Sequence, residues 1–377
     1  MNPITRTEQF LAAAAGEYDG GLPEPVTRLE HYLSKIKTVG DHLQSEIDMI
    51  AGMVEVESWA DVQKIVRAGM AGSFFSVGDQ LTCQKDGVNL VWDIIGIDHD
   101  TPADPQYTHS MTLQLHDCFQ TNLQYDAPEA FYYAENGLAA GTYHFAIGSA
   151  SYQFALSDNV PAGGQLILAY SGGSPSTISI ASTKDGAATG AIPVIIGNGG
   201  TEITTFNSIS RVKYGSNNYK NSAIRQWLNS SAATGSVWVP KTDYDRPPNW
   251  ASSTAGFLTG MDADFLAVLG EVTKVTAKNT ATDGGGYDTT AEKIFLLSRS
   301  EVYGGIEVSG VNEGEPYPYY SDDSSRIKYR DDTALYWSLR TPYAGNGSAV
   351  RRVIPTGGVS QTDALYAISV APACNII

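Results

Sequence analysis

Residues 334–377, ALYWSLRTPYAGNGSAVRRVIPTGGVSQTDALYAISVAPACNII, decide the fold of the C-terminal part of the chain. In this stretch Trp337 and Leu339 alternate with small or charged residues, which is the period of a half-buried strand. Residues 349–354 and 365–370 repeat the pattern with β-branched side chains, and loops containing glycine or proline separate the segments. The stretch therefore predicts three short strands joined by two loops.

The residues outside this apolar register are rich in tyrosine, serine and asparagine. Tyrosine offers a large contact area with few rotatable bonds, and serine and asparagine form adaptable hydrogen bonds. Ordinary surface loops have a similar composition, so composition alone leaves a binding face and a plain loop surface both open. The predicted ligand-binding residues are Tyr336, Ser338, Tyr343, Ala344, Asn346, Ser348, Arg352, Ser360, Asp363 and Tyr366. Trp337, Leu339, Arg340, Val353, Ile368 and Val370 are predicted to hold the fold.

The charge of the chain is unevenly distributed. Its 377 residues include 41 acids and 24 lysines or arginines, for a net charge of −17, which argues against nucleic acid as a partner. Residues 333–362, however, contain Arg340, Arg351 and Arg352 and no acid. Such arginines either attract an anionic ligand or form structural hydrogen bonds, and both interpretations remain open here.

Three parts are predicted along the chain: an N-terminal helical, oligomerising segment at 1–70, a β-rich domain at 71–165 and a ligand-binding domain at 166–377. Residues 27–50 carry an apolar residue at every seventh position, which predicts either a short coiled coil or an amphipathic helix packed on its own domain. A coiled coil would make the protein a homo-oligomer, with a trimer as one option. The residues at this spacing are Leu29, Ile36, Leu43 and Ile50.

Runs of strands with few helices favour an α+β architecture over a parallel α/β one. Helices are predicted at 5–15, at 58–67 with Ser58 as a cap, at 221–228, and at 262–269 with Gly270 as the C-terminal stop. The predicted strands before the C-terminal set are 80–84, 88–97, 111–115, 141–147, 151–156, 271–278 and 293–298.

The cysteines and the N-terminus bear on the compartment. Cys83, Cys118 and Cys374 are too widely spaced for a disulfide framework or a CxxC metal site, so synthesis in a reducing compartment is expected. The N-terminus lacks the pattern of a secretory leader, and no apolar stretch approaches 18 residues. We therefore expect neither standard export nor membrane insertion.

Several residues could instead carry metal chemistry. Asp98, His99 and His109 surround a predicted hairpin, where they form either a zinc or nickel site or hydrogen bonds at a domain junction. The acids at 283–288 and 322–323 suit calcium or solvated turns, but neither has the spacing of an EF-hand. The prediction is therefore no metal and no cofactor.

Enzymatic motifs are missing from the sequence. It has no GxSxG, HExxH or phosphate-binding loop, and no histidine follows Phe145 to act as a base. Glu313 and Glu315 are two residues apart in a loop, so they are expected to be rim contacts rather than a glycosidase pair. Their neighbours Tyr317, Tyr319 and Tyr320 are predicted to extend an aromatic binding surface.

An ordered series of short segments resembles DUF6273 proteins. The segments are FSVGD at 75–79, VWDIIG at 91–96, HSMTLQLHD at 109–117, YGSN at 214–217, SAIRQWLN at 222–229, FLLS at 295–298, YWSLRTP at 336–342 and VAPA at 370–373. The resemblance covers about residues 72–377. It implies a gut-bacterial or prophage origin and a C-terminal half similar to the C-type-lectin-like fold shared with formylglycine-generating enzymes.

The C-terminus is also similar to the variable proteins of diversity-generating retroelements, which include phage receptor-binding proteins. In that system randomised adenines produce the residue types found at the predicted binding positions, with Arg352 less typical. The resemblance thus implies a non-enzymatic receptor-binding protein of a phage or prophage particle, made in the bacterial cytoplasm. Expected partners are a cell-surface protein or glycan and other particle subunits.

Two alternatives remain. In the first, the same face contacts a neighbouring subunit and the protein is a structural virion component of a tail, baseplate or capsid decoration. In the second, less favoured, the protein is a formylglycine-generating enzyme. That chemistry needs a close pair of reactive cysteines, and the C-terminal half contains only Cys374.

Overall fold

The structure of the chain is a computed structural model, and the chain divides into two compact units, residues 1–61 and 62–377. The predicted helix at 5–15 lies outside the described residues, as does the predicted helix at 27–50 apart from residues 38–39, which are helical. The prediction of an oligomer therefore stays a prediction. The described residues are 38–39, 56–127, 131–134, 137–147, 150–156, 158–162, 164–170, 175–181, 189–192, 215–241, 247–281 and 283–377.

These residues form a mixed structure of few helices and antiparallel sheets. The helices of the described part are α1 (Trp59–Arg67), α2 (Ala71–Phe74), α3 (Ala223–Leu228), α4 (Ala263–Val268) and α5 (Arg299–Tyr303), with a 3-10 helix at Ser324–Arg326. The first ten strands are β1 (Gln80–Lys85), β2 (Val88–Ile97), β3 (Met111–Leu115), β4 (Leu123–Gln124), β5 (Phe131–Ala134), β6 (Gly141–Ile147), β7 (Ala150–Leu156), β8 (Gly164–Tyr170), β9 (Pro175–Ala181) and β10 (Thr189–Ile192). The remaining strands are β11 (Leu269–Gly270), β12 (Val272–Ala277), β13 (Tyr287–Glu292), β14 (Ile294–Phe295), β15 (Lys328–Arg330), β16 (Thr333–Leu335), β17 (Trp337–Pro342), β18 (Ala349–Val353), β19 (Val359–Asp363), β20 (Ala367–Ile368) and β21 (Ala373–Ile376).

The largest sheet has the strand order β1-β2-β3-β21-β11, and β14 also pairs with β21. In its centre Met111 of β3 pairs with Ile376 of β21, and Leu113 pairs with Cys374. The sheet thus joins strands on both sides of the predicted domain boundary at residue 165. That boundary stays a prediction.

A separate three-stranded antiparallel sheet is formed by β17, β18 and β19. The sequence pattern predicts its third strand at 365–370, but the third strand is Val359–Asp363. The difference arises at the preceding turn, where the amide of Ile354 donates to the carbonyl of Gly358 at 2.8 Å and Gly357 has a φ of 83°. This turn folds the chain back directly onto β18 and brings residues 359–363 into register with it.

One face of the three-stranded sheet packs on the core. Trp337, Leu339 and Val353 are fully buried in a cluster that also contains Phe295 of β14, and the indole nitrogen of Trp337 donates to the carbonyl of Arg326 at 3.0 Å. Truncating a buried tryptophan of this kind costs about 3–5 kcal/mol. The sheet is therefore held rigidly by residues that the alternating pattern predicts to be interior.

Local predictions elsewhere have mixed outcomes. The hydroxyl of Ser58 accepts from the amide of Asp61 at 3.3 Å, which confirms the predicted cap of α1. The predicted glycine stop of α4 is wrong, because Leu269 ends the helix at a φ of −71° and Gly270 pairs with Asn375 of β21. Sheet pairing therefore overrides the local signal of the glycine.

Candidate ligand-binding surface

The ten predicted binding residues differ in exposure. Tyr336 and Tyr366 are 42% and 52% exposed, whereas Ser338 and Ser348 are 2% and 0% exposed. Tyr336 and Tyr366 are therefore the most accessible members of the set, and the two serines are interior in this fold. The remaining six residues are half-buried: Tyr343, Ala344, Asn346, Arg352, Ser360 and Asp363.

The register of the sheet brings four predicted residues to one face. Ser338 pairs with Arg352, and Arg352 pairs with Ser360, so these three side chains share a face. Tyr336 precedes Ser338 by two residues, and its ring lies 4.2 Å from the guanidinium carbon of Arg352. A cation in this position is attracted to the ring. We call these four residues the Arg352 face.

Arg351 belongs to the opposite face. Its guanidinium binds the carboxylate of Glu307 through two contacts of 2.8 and 2.9 Å and donates to Gln361 at 3.1 Å. It also lies 4.6 Å from the ring centre of Tyr343. Arg351 therefore has a structural role, as the ion-pair partner of Glu307. Tyr343 lies against Arg351 rather than beside Tyr336.

The loop between β17 and β18 is built around two asparagines. The side-chain oxygen of Asn346 accepts from the amide of Ser348 at 2.7 Å, and Asn217 donates to the carbonyls of Asn346 and Ala349 at 2.6 and 2.8 Å. The hydroxyl of Ser348 lies 3.0 Å from a carboxylate oxygen of Asp363, and burial raises the pKa of Asp363. Sequence reasoning missed the role of Asn217, and the YGSN segment was the signal that contained it.

Arg340 holds the sheet from inside. It is 0% exposed and donates to the carboxylate of Glu301 at 2.5 and 3.0 Å, and to the carbonyl of Glu313 at 2.7 Å. Lys274 donates to the same carboxylate at 3.0 Å. Burial alone would raise the pKa of Glu301, but Arg340 and Lys274 outweigh it and lower that pKa. The arginine is therefore a structural residue, as predicted.

The predicted aromatic extension at 317–320 is wrong. Tyr317 and Tyr320 are 1% and 6% exposed, and the hydroxyl of Tyr317 donates to Asp100 at 2.8 Å. Tyr319 packs against the same core, and its hydroxyl donates to a buried aspartate. Glu313 is 1% exposed and accepts from a backbone amide, so it is no rim contact. This loop lies against the interior because its side chains bond to buried polar groups that are distant in sequence.

The histidines of the predicted hairpin have different partners. The Nδ1 of His109 lies 3.1 Å from Asp98, whereas His99 stacks on the ring of Tyr317 at 4.1 Å. Burial would lower the pKa of His99, but the neighbouring carboxylate of Asp100 raises it. Within the residues that the structure describes, no group of three or more His, Cys, Asp or Glu side chains could hold a metal ion.

Acids of the segments 283–288 and 322–323 make contacts within the protein. Asp322 accepts from the hydroxyl of Ser324 at 2.6 Å and from the amide of Ser325 at 3.0 Å, which is the pattern of a turn cap. Asp288 pairs with Lys220 at 3.1 Å. These contacts fit the interpretation of these acids as turn and surface residues.

The three cysteines are buried and free. Burial raises the pKa of Cys83 and of Cys118 to about 11, and raises the pKa of Cys374 as well. A thiol acts as a nucleophile only when it is deprotonated, so these environments disfavour thiol chemistry at neutral pH.

The sheet, the Arg352 face and the Arg340 ion pair all lie in the last 178 residues of the chain, which are also the part that matches a known family. Residues 200–377 match DUF6273, a domain of unknown function. The DUF6273 match begins later than residue 72, where the resemblance of short segments starts. No curated protein and no solved structure matches the chain. Among the described residues of the DUF6273 region and the part before it, no helix is long and apolar enough to cross a membrane.

Proposed function

We propose that this chain is a non-enzymatic ligand- or receptor-binding protein whose binding surface lies on the β17-β18-β19 sheet and its loops. The observation that carries this proposal is the exposed Tyr336 stacked on Arg352, at the surface of a sheet whose other face is anchored in the core. Tyrosine and arginine are enriched at binding hot spots, and a rigid support reduces the entropy lost on binding. The direct contacts we propose are Tyr336, Tyr343, Ala344, Asn346, Arg352, Ser360, Asp363 and Tyr366.

The finer assignment comes from the resemblance. It implies a C-type-lectin-like fold for the C-terminal domain and a place in a phage or prophage particle, with a cell-surface protein or glycan as the receptor. Diversification by a retroelement would act on the accessible positions, such as Tyr336 and Tyr366, and leave buried Trp337 unchanged. Oligomeric display would strengthen binding to a weak ligand through avidity.

The cysteines support a binding protein over a formylglycine-generating enzyme. Cys83, Cys118 and Cys374 are each no more than 4% exposed, and burial raises the pKa of all three. Oxidation of a substrate by such an enzyme would need an accessible thiolate. The other alternative, a structural virion component, uses the same surface for a neighbouring subunit.

The test compares adsorption with assembly. Tyr336, Tyr343 and Tyr366 are replaced together by alanine, and Tyr287→Ala serves as a control because Tyr287 is 58% exposed on a different hairpin, β12-β13. We expect particles of normal composition whose adsorption to cells falls about tenfold or more, since truncation of aromatic hot spots costs 2 kcal/mol or more. The control should adsorb normally.

Two outcomes would overturn the proposal. If the triple variant assembles and adsorbs as well as the parent protein, this surface does not bind the receptor. If the triple variant alone fails to assemble although the purified protein remains folded by circular dichroism, the surface is a contact between virion subunits.

A further inference from the structure

We infer that the Arg352 face binds a negatively charged group, a carboxylate or a sulfate, carried by an acidic saccharide. This inference rests on the proposed binding function and names the chemical class of the ligand. It starts from the three arginines of the acid-free stretch 333–362, whose side chains have different surroundings.

Two of the three arginines are neutralised inside the protein. Arg340 binds Glu301, and Arg351 binds Glu307, in each case through two short contacts. Arg352 forms no ion pair and donates no side-chain hydrogen bond to any residue that the structure describes. Its Nε is buried and has no hydrogen-bond partner among the described residues. A cation that is partly removed from water without a counterion gains from binding an external anion.

The neighbours of Arg352 hold it ready for such an anion. The ring of Tyr336 lies 4.2 Å from the guanidinium carbon, which supports the planar group from one side. A planar guanidinium presents parallel N–H donors that match the two oxygens of a carboxylate or sulfate. Ser360, paired with Arg352 across the sheet, is half-buried, and its hydroxyl bonds to no other described residue. It can therefore serve as a further donor.

The surroundings favour a saccharide over an acidic protein surface. Stable protein interfaces bury roughly 800 Å² on each partner around an apolar core. Val359, an exposed apolar residue of this sheet, pairs with Val353 and so lies on the opposite face. Among the described residues, strands β17, β18 and β19 add no exposed large apolar side chain to the Arg352 face. The guanidinium of Arg352, the ring of Tyr336 and the hydroxyl of Ser360 together match the size of a single acidic sugar.

The test uses the purified full-length chain and an array of saccharides in matched pairs, such as sialyllactose with lactose and sulfated with unsulfated galactose. We expect the acidic member of a pair to bind about tenfold or more tightly than the neutral member, because a charge-assisted hydrogen bond contributes more than a neutral one. Added salt should weaken this preference.

Three variants isolate the guanidinium. Arg352→Gln should lower the affinity for the acidic saccharide to that for its neutral parent. Arg352→Lys keeps the charge but loses the planar fork, so it should retain only part of the preference. Arg351→Gln removes the same charge from the same strand on the opposite face, and it should preserve the preference. Thermal unfolding of each variant shows whether it is folded.

The possible failures are distinguishable. Equal binding of acidic and neutral saccharides, or an unchanged preference in both Arg352 variants, overturns the inference but leaves the binding function standing. Binding to cells that protease treatment abolishes, without binding to any saccharide, overturns it in favour of a protein ligand. No binding to cells or to saccharides overturns the proposed function itself.

Discussion

Arg340 and Glu301 form a fully buried ion pair with two contacts, Nη1 to Oε2 at 2.5 Å and Nη2 to Oε1 at 3.0 Å. The same carboxylate accepts from the amide of Ser298 at 2.8 Å and so completes the capping box of α5. A residue of β17 is thereby tied to the first turn of a helix 39 positions earlier in the chain. The pair thereby anchors β17, the strand that also carries Ser338 of the Arg352 face.

Breaking this pair should destabilise the protein strongly. Arg340→Met leaves a buried carboxylate without its main partner, and such changes cost about 3–5 kcal/mol. The measurement is the free energy of unfolding in urea. Lys220→Ala is the control, because its exposed pair with Asp288 should contribute less than about 1 kcal/mol. Equal losses in the two variants would contradict the structural role of Arg340.

Stability should fall in acid partly through Glu301. Its pKa is lowered in the folded protein from an ordinary value of 4.5. The pair therefore contributes its full stability above pH 4.5, and this contribution is lost as pH falls from there toward the folded pKa. Glu301→Gln should be less stable at pH 7 and should lose less stability between pH 5 and pH 3 than the parent, in urea titrations at about those values. An equal loss of unfolding free energy between pH 5 and pH 3 in the two proteins would refute this account.

The loop at 343–348 should depend on Asn217. Asn217→Ala removes two hydrogen bonds to loop carbonyls and leaves the amide of Asn279 without its 2.8 Å acceptor. We expect a loss of about 1–3 kcal/mol and faster amide exchange in the loop, as measured by hydrogen–deuterium exchange. Asn312→Ala loses only exposed, local hydrogen bonds, one to Glu315 and one from the amide of Gly314, and should change little. Unchanged amide exchange in the Asn217 variant would show that the loop is ordered without Asn217.

The turn between β18 and β19 should require glycine at position 357. Gly357 has a φ of 83°, and an added Cβ would lie 1.9 Å from the carbonyl oxygen of Asp323. Gly357→Ala should therefore cost more than about 1 kcal/mol in thermal or urea unfolding. Gly345→Ala is the matched control, because a Cβ there meets no atom within 4 Å. If the two substitutions are equally tolerated, the turn is not as tight as described.

The thiols should be inert in the folded protein. Cys83, Cys118 and Cys374 are buried, and burial raises the pKa of each. A chromogenic disulfide reagent at about pH 8, close to the usual thiol pKa, should therefore titrate no thiol before unfolding and all three in denaturant. Rapid reaction of one native thiol would reopen the enzyme alternative.

Local patterns predicted much of the framework. Two strands and their buried residues were identified from the alternation of Trp337 and Leu339 and from the β-branched run at 349–354. This was possible because the side chains of a strand point alternately to its two faces, so the buried face shows as every second residue of the sequence. Ile368 is the exception among the predicted interior residues, since it is half-buried in the two-residue strand β20. The third strand was misplaced, because its pairing depends on the turn at Gly357 rather than on its own composition.

The sequence by itself determined that arginines and tyrosines would lie on a β framework with no acid among them in residues 333–362. Only the tertiary structure decided which of these side chains are bound to partners inside the protein and which can contact a ligand. Arg351 finds its carboxylate 44 residues away, and Tyr317 finds Asp100 217 residues away, so neither partner is visible in a local pattern. Arg352, on the alternate face of the same strand, meets no carboxylate among the described residues. Long-range ion pairing and strand alternation therefore separate the structural arginines from the one we propose to bind ligand.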